Sequence, residues 1–373
     1  MKKIIVLGAG LIGKSIAIDL SNQYAVTCAD IEKKSLTDLR NSYGIKGIQA
    51  DFTDKKSLMK LIKNFDLVVC AVPGFMGFET LKTIIETKKN VVDISFFPED
   101  PFLLDDLAKK NKVTAVTDCG VAPGLCNIIA GYYYRRIKMT GYECLVGGLP
   151  AVREWPFEYK AVFSPLDVIE EYTRPARYIE NGKPVTKEAL SDTERIKFDG
   201  VDDLESFNSD GLRTLAVTMP DVPYMKEKSL RYPGHVELMK VLRDTGFFSK
   251  KPITINGISL TPLEYTSKIL FPQWKMKPGE EDFTIMRVTI DGENEKFIYT
   301  LFDRFDTKTQ LTSMARTTGF TCTAVVNLVI KQKYSRIGIS PPEFLGEDEK
   351  CFKGIISYLE KRNVKNKIEI IKK

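Results

Sequence analysis

The stretch Lys2–Ser21, KKIIVLGAGLIGKSIAIDLS, carries the most information about the fold of this chain. Its apolar residues Ile4–Leu7 predict a short buried strand, and the glycine-rich turn GAGLIG (8–13) follows at once. The next residues, KSIAIDLS (14–21), predict a helix with one apolar face. A G-x-G-x-x-G motif between a strand and a helix is the pattern of a dinucleotide-binding turn.

Each glycine of this motif has an expected physical role. Gly8 allows the tight turn, Gly10 lets the backbone approach a pyrophosphate, and Gly13 lets the helix pack closely against the strand. Leu11 and Ile12 lie in the turn and are expected to contribute to the cofactor site, together with the free N–H groups at the start of the helix. We expect a pyrophosphate to bind these groups at the positive end of the helix dipole.

Asp30 indicates which dinucleotide binds. It follows a second predicted strand, Tyr24–Ala29, at the distance from the glycines where a ribose-binding acid is expected. A carboxylate there accepts hydrogen bonds from both ribose hydroxyls of NAD and repels the 2′-phosphate of NADP. The sequence therefore predicts NAD as the cofactor. The alternative is a doubly wound domain that has lost its ligand.

Predicted strands and helices alternate through the first third of the chain, which indicates a Rossmann-type parallel sheet covered on both faces. In such a sheet the ligand lies at the carboxyl ends of the strands. We therefore expect cofactor contacts from residues at those ends: Asp51, Ala71, Val72, Pro73 and Val121. Asp93 and Asp118 end two further strands. Each of these residues also suits ordinary turn chemistry.

The pattern changes after Asn127. Longer strand patterns follow, and DGEN (291–294) predicts a hairpin turn. These features predict a second α+β domain built on an open mixed sheet. A long helix, Ser313–Lys331, is expected to return to the first domain. The predicted division is a discontinuous NAD-binding domain of residues 1–124 and 313–373, and a substrate-binding and dimerisation domain of residues 125–312.

Composition excludes several classes of protein. The net charge is +6, from 55 basic and 49 acidic residues of mixed order, and no basic stripe with interleaved aromatic residues predicts nucleic-acid binding. The seven cysteines form no CxxC pair, which argues against a metal site or disulfide framework and favours a reducing, cytoplasmic setting. No apolar stretch approaches the length of a membrane span.

The run DCGVAPGLCN (118–127) is more specific than the features above. Together with six further motifs in order along the chain, it resembles the saccharopine dehydrogenase-like family, and most closely the lysine 6-dehydrogenase branch. These motifs are GGLP (147–150), FEYKAVFSPLDVIEEYTRPARYIENG (157–182), LESFNSDGLRTL (204–215), RYPGHVE (231–237), MARTTG (314–319) and IGISPPE (337–343). The resemblance implies a Rossmann domain, a mixed α/β substrate domain, C-terminal helices that rejoin the first domain, and a homodimer.

One departure from the family pattern bears on the substrate. Saccharopine reductases tend to have an acidic residue where this chain has Ala122, in GVAPG (120–124). The resemblance therefore implies oxidative deamination of an amino acid, with L-lysine losing its ε-amine. The alternatives are a reductive condensing enzyme, such as a saccharopine reductase or carboxynorspermidine dehydrogenase, and a non-catalytic NAD-binding regulator.

Candidate catalytic residues follow from this chemistry, because the reacting amine must be deprotonated. His235, the only histidine, is either the general base or the cap of a helix. Lys160 is either a base with a lowered pKa or a surface charge. Asp118 is the third candidate.

An amino-acid substrate also needs groups that bind its two charged ends. Arg213 and Arg231 are the candidates for holding its α-carboxylate, although either arginine could instead form an internal salt bridge. Tyr159 is expected to line the site. The α-ammonium group needs an acid, for which Asp93, Asp118, Asp210 and Glu154 are the candidates.

Overall fold

The computed structural model describes all 373 residues and divides them into two compact units. Unit 1 comprises Met1–Ile137 and Ala315–Lys365, and unit 2 comprises Lys138–Met314 and Asn366–Lys373. The structure thus assigns residues 125–137 to unit 1 and residues 366–373 to unit 2, whereas the sequence pattern predicted the opposite for both segments.

The core of unit 1 is a seven-stranded parallel sheet, in the order β17-β6-β5-β4-β1-β2-β3. Its strands are β1 (Lys3–Leu7), β2 (Ala25–Asp30), β3 (Lys46–Gln49), β4 (Leu67–Cys70), β5 (Asn90–Asp93), β6 (Thr114–Val116) and β17 (Gly338–Ser340). Residues 4–7 of β1 are fully buried, because helices cover both faces of the sheet. The predicted Rossmann-type architecture is confirmed.

The helices of unit 1 lie between these strands in the sequence or follow the last of them. They are α1 (Leu11–Ser21), α2 (Lys33–Tyr43), α3 (Lys55–Ile62), α4 (Gly74–Glu86), α5 (Asp105–Asn111), α6 (Leu125–Tyr134), α12 (Pro342–Glu347), α13 (Glu349–Glu360) and most of α11 (Ser313–Ile330). α6 belongs to unit 1 because it packs directly on α12. A Cβ on Gly131 would lie 2.0 Å from the Glu343 carbonyl oxygen, and one on Gly346 would lie 2.0 Å from that of Ile128.

Unit 2 is built on a nine-stranded mixed sheet, as predicted. Its main path runs β10-β11-β12-β7-β15-β16-β18, and β8 and β9 form a hairpin beside β12. The strands are β7 (Met139–Pro150), β8 (Ala176–Glu180), β9 (Lys183–Lys187), β10 (Glu194–Phe198), β11 (Val201–Asn208), β12 (Met225–Arg231), β15 (Asp282–Gly292), β16 (Glu295–Arg304) and β18 (Asn366–Lys372). The predicted hairpin joins β15 to β16, and β18 belongs to unit 2 because it pairs with β16.

Helices α7 (Pro165–Thr173), α9 (His235–Asp244) and α10 (Pro262–Trp274) contribute to a second apolar core in unit 2, around the fully buried Trp274, Tyr172 and Phe207. A short helix, α8 (Leu215–Thr218), and a small hairpin, β13 (Ile253–Ile255) with β14 (Ile258–Leu260), complete the unit. All seven cysteines are buried and none forms a disulfide. None of the helices has both the length and the hydropathy needed to cross a membrane.

Candidate functional site

Two glycines of the turn between β1 and α1 are required by the fold itself. Gly8 has a φ of +109°, and a Cβ there would lie 2.3 Å from the Ala71 carbonyl oxygen. A Cβ on Gly13 would lie 2.1 Å from the Gly8 carbonyl oxygen. These contacts are shorter than any side chain permits, so both positions need glycine whether or not a ligand binds.

Gly10 is different, because no contact within the protein requires a glycine at this position. Its φ is −67°, which any residue adopts, and a Cβ there would meet no atom within 4 Å. α1 begins at the next residue with no side-chain cap and no acidic residue in its first turn. Lys14 is the first residue whose N–H bonds back, to the Gly10 carbonyl. The N–H groups of Leu11, Ile12 and Gly13 therefore form a cradle for an anion.

Asp30 lies beside this cradle at the end of β2. One carboxylate oxygen accepts a hydrogen bond of 2.6 Å from the N–H of Ala9, and the other accepts one of 2.8 Å from the N–H of Glu32. Two backbone donors thus hold the carboxylate next to the glycine turn. Each oxygen retains a lone pair that can accept a hydrogen bond from a sugar hydroxyl. The arrangement suits the ribose of a dinucleotide.

The other predicted cofactor residues lie at the same edge of the sheet. Ala71 packs against Gly8 and Gly13, and Val72 and Val121 are buried. Pro73 precedes α4 as its N-cap. Their backbones shape the edge, whereas their side chains offer no polar contact.

Asp51 is exposed after β3, and its Oδ1 accepts hydrogen bonds from the N–H and the hydroxyl of Thr53. These hydrogen bonds hold the pKa of Asp51 below its usual value. Its second carboxylate oxygen accepts no hydrogen bond from the protein. The Asp51 carboxylate therefore stabilises the turn through one oxygen and leaves the other able to accept a hydrogen bond from a ligand.

Asp93 and Asp118 form a buried acidic pair at the carboxyl ends of β5 and β6. Asp93 is fully buried and accepts hydrogen bonds from the N–H and the hydroxyl of Ser95. Burial raises the pKa of Asp93 to about 7, with a smaller contribution from the charge of Asp118, although the Ser95 hydrogen bonds oppose the shift. Near neutral pH, Asp93 can therefore either donate or accept a proton.

His235 is part of a buried polar chain in unit 2, which we define as Glu171, Arg231, Tyr172, His235 and the carbonyl group of Phe157. Nδ1 of His235 lies 2.9 Å from the Phe157 carbonyl oxygen, so this nitrogen must donate. Nε2 is then the unprotonated nitrogen, and it accepts a hydrogen bond of 2.9 Å from the Tyr172 hydroxyl. Burial, followed by the charge of Arg231, lowers the pKa of His235 to about 3. The imidazole is therefore neutral across the physiological pH range.

Arg231 supplies the only positive charge of the buried polar chain around His235. Its Nη2 donates to a Glu171 carboxylate oxygen at 2.7 Å, and its Nε donates to the Tyr172 hydroxyl at 3.2 Å. Its guanidinium carbon lies 4.7 Å from the centre of the Tyr159 ring. The sequence left two roles open for Arg231, carboxylate binding and an internal salt bridge. These contacts are those of an internal salt bridge.

Lys160 and Arg213 lie elsewhere in unit 2. The Lys160 ammonium is buried between two carboxylates, 2.9 Å from a Glu154 oxygen and 3.7 Å from a Glu280 oxygen. Lys160 is thus an ion-paired cation rather than a surface charge. Arg213 is also buried and adopts a φ of +53° after the Gly211 turn.

The structure groups the predicted residues within each unit. In unit 1 the glycine turn adjoins Asp30, and Asp93 neighbours Asp118. In unit 2, Tyr159, Arg231 and His235 share one core. Sequence reasoning missed Glu171, Tyr172 and the Phe157 carbonyl, although all three lie within the segment Phe157–Gly182 that resembles the family. It also missed Ser95, for which an Asp-x-Ser spacing after a strand was the available signal.

Comparison with known families gives two matches that together span most of the chain. Residues 4–116 match the family model described as the saccharopine dehydrogenase NADP binding domain. Residues 120–364 match the model described as the saccharopine dehydrogenase C-terminal domain.

Two curated relatives show the range of similarity. The chain is 26% identical over 276 residues to saccharopine dehydrogenase [NADP(+), L-glutamate-forming] of Saccharomyces cerevisiae, covering 68% of this chain and 62% of that protein. It is 25% identical over 228 residues to α-aminoadipic semialdehyde synthase of Arabidopsis thaliana, covering 56% of this chain and 21% of that protein. The matched region is thus only part of each relative.

Two solved structures share the fold over the whole chain. The apo saccharopine dehydrogenase (L-Glu forming) of Saccharomyces cerevisiae superimposes with a TM-score of 0.77 at 20% identity, covering 100% of both chains. The homospermidine synthase of Legionella pneumophila, solved with NAD, superimposes with a TM-score of 0.71 at 12% identity, covering 100% of this chain and 91% of that one.

Proposed function

The chain belongs to the saccharopine dehydrogenase family, and on this premise we propose that it is an NAD-dependent dehydrogenase that oxidatively deaminates an amino acid, with L-lysine as the substrate. The ε-carbon of lysine would lose a hydride and the ε-amine would leave as ammonia. Water supplies the oxygen of the aldehyde product, which can close on its own α-amine. The bound nicotinamide cofactor supplies the hydride acceptor.

The anion cradle at Gly10 is the observation that carries this proposal. An open space at the start of an uncapped helix has no structural purpose in this chain, and it suits a pyrophosphate. Leu11, Ile12 and Gly13 would hold the pyrophosphate through their N–H groups. Asp30 would accept the hydrogen bonds of the ribose hydroxyls.

Asp30 also supports NAD over NADP. Both carboxylate oxygens are held by backbone donors, so the negative charge is fixed where a 2′-phosphate would lie. The relative from Saccharomyces cerevisiae has NADP(+) in its name, and we expect this chain to differ from it in coenzyme preference.

Asp30→Arg should weaken NAD binding and strengthen NADP binding, changing their affinity ratio by roughly 100-fold, because a repulsive charge becomes an attractive one. Titration of each coenzyme by calorimetry measures this ratio. Asp38→Arg makes the same charge change on the exposed surface of α2 and should leave the ratio unchanged. Equal changes in the two variants would remove Asp30 from the ribose site.

Proton transfer is the second requirement of the reaction. A free lysine ε-amine has a pKa of about 10.4, so the protein must take a proton from it. The candidates are His235, Lys160 and Asp118. His235 is neutral and its Nε2 already accepts a hydrogen bond from Tyr172, and Lys160 is held as a cation by two carboxylates, so we propose Asp118 for this role. We propose that Arg213, Tyr159 and Asp93 bind the substrate, whereas Arg231 is already paired with Glu171. Asp93 also suits proton transfer, because burial brings its pKa to about 7.

The decisive experiment is a substrate panel read by reduced-coenzyme formation. L-lysine with NAD should give NADH and ammonia in equal amounts, with a rate that rises with pH as the free amine becomes more abundant. L-norleucine, which lacks the ε-amine, is the matched control and should give none.

Each alternative function has its own outcome in this panel. Oxidation of saccharopine, with release of an intact amino acid and no ammonia, would identify a reductive condensing enzyme working in reverse. Binding of NAD without oxidation of any amine would identify a regulator. Either result would replace lysine deamination as the function.

A further inference from the structure

A pocket of about 660 Å³ lies on the mixed sheet of unit 2. Four of its six charged residues, Glu143, Lys226, Arg287 and Lys296, project from neighbouring strands on one face of the sheet. Arg231 lies at an odd-numbered position of β12, whereas Lys226 is even-numbered, so the buried polar chain lies on the opposite face. The pocket is therefore separate from every residue proposed above for catalysis.

Most charges in this pocket are neutralised locally. Lys226 pairs with Glu143 at 2.8 Å, and Lys296 lies 3.4 Å from an Asp291 oxygen. Glu180, at the rim, pairs with Lys187 at 2.8 Å. Lys373 also lies 3.4 Å from the same Asp291 oxygen. With these partners assigned, one charged residue of the lining has no ion pair.

That remaining charge is Arg287, which forms no ion pair. A guanidinium has five N–H donors, but Arg287 makes one long hydrogen bond, 3.3 Å from Nη2 to the Lys197 carbonyl oxygen. Its Nε is buried without a partner, and its guanidinium carbon lies 4.2 Å from the centre of the Phe198 ring. Burial lowers the pKa of Arg287, and the charge of Glu143 opposes this shift only in part.

We propose that this pocket binds a small monocarboxylate, with Arg287 as the anion-binding group. The planar guanidinium matches a carboxylate. Arg287 is the charged residue of the lining without an ion pair, and a single carboxylate would supply the counter-ion that it lacks. Ile179, Met225 and Ile298 also line the pocket and suit an apolar body on the ligand. The volume is in the range of small-molecule sites.

Calorimetric titration with hexanoate tests the proposal, because hexanoate has one carboxylate, an apolar body and no amine to be oxidised. We expect one hexanoate per chain in this pocket. Arg287→Met should weaken its binding roughly tenfold or more, the loss of a charge-assisted hydrogen-bonded contact. Arg304→Met is the matched control, since Arg304 also stacks on a phenylalanine of the same sheet but lies outside the pocket. It should bind hexanoate like the unmodified protein.

A second variant tests the proposal independently of Arg287→Met, in case that variant does not fold. Ile298→Trp keeps Arg287 and fills the pocket from β16, so it should also weaken hexanoate binding. Absence of hexanoate binding, or equal binding in the Arg287→Met variant, would overturn the proposal. So would tighter binding of inorganic phosphate than of hexanoate. A dimer in light scattering that Arg287→Met converts to a monomer would instead identify this face as a contact between copies of the chain.

Discussion

Replacing Gly10 by threonine should reduce NAD affinity by roughly 100-fold, the equivalent of losing about 2–3 kcal/mol of phosphate hydrogen bonding. The new side chain would occupy the open space beside the helix start. Its hydroxyl would also compete for an N–H group that the pyrophosphate needs. Calorimetric titration with NAD measures the change.

The same replacement should leave stability nearly unchanged, which is what makes it informative. Threonine and glycine are similar as N-cap residues, and a Cβ at Gly10 meets no protein atom. Gly13→Ala is the contrasting variant, because its Cβ would lie 2.1 Å from the Gly8 carbonyl oxygen and should lower the melting temperature by several degrees. A Gly10→Thr variant that binds NAD normally would contradict the assignment of the cradle.

Replacing Arg231 by methionine should lower the free energy of unfolding by about 3 kcal/mol, because it removes the ion-pair partner of the mostly buried Glu171 carboxylate. Glu171 would lose the 2.7 Å hydrogen bond from Nη2, and the Tyr172 hydroxyl would lose a donor. Urea unfolding measures the effect, with Trp274 as the fluorescent reporter in this core. A Trp155→Phe background removes the other tryptophan, which is 88% exposed.

An exposed ion pair provides the control for Arg231. Lys138 and Glu293 lie 2.6 Å apart but are largely solvated, so Lys138→Met should change stability by about 1 kcal/mol or less. A stable Arg231→Met protein with a raised KM for the amino acid would instead support the role predicted from sequence, the carboxylate clamp.

Local sequence was sufficient for the architecture of unit 1. The strand, turn and helix at its start depend on neighbouring residues, so a short window predicts them. The same holds for Gly8, Gly13 and Asp30, whose geometry follows from a recurring turn. The domain boundaries were less predictable, because α6 joins unit 1 through close packing on α12, about 200 residues away in the sequence.

What only the tertiary structure decided is the environment of the charged side chains. Sequence identified His235 and Arg231 but left each between two roles. His235 lies 78 residues from the carbonyl that fixes its tautomer, and Arg231 lies 60 residues from the carboxylate that pairs with it. Burial and partner choice set the charge of such groups, and both arise when distant segments pack together. Sequence by itself therefore determined the sheet and the nucleotide turn, whereas folding decided which titratable groups are neutral, paired or left without a counter-ion.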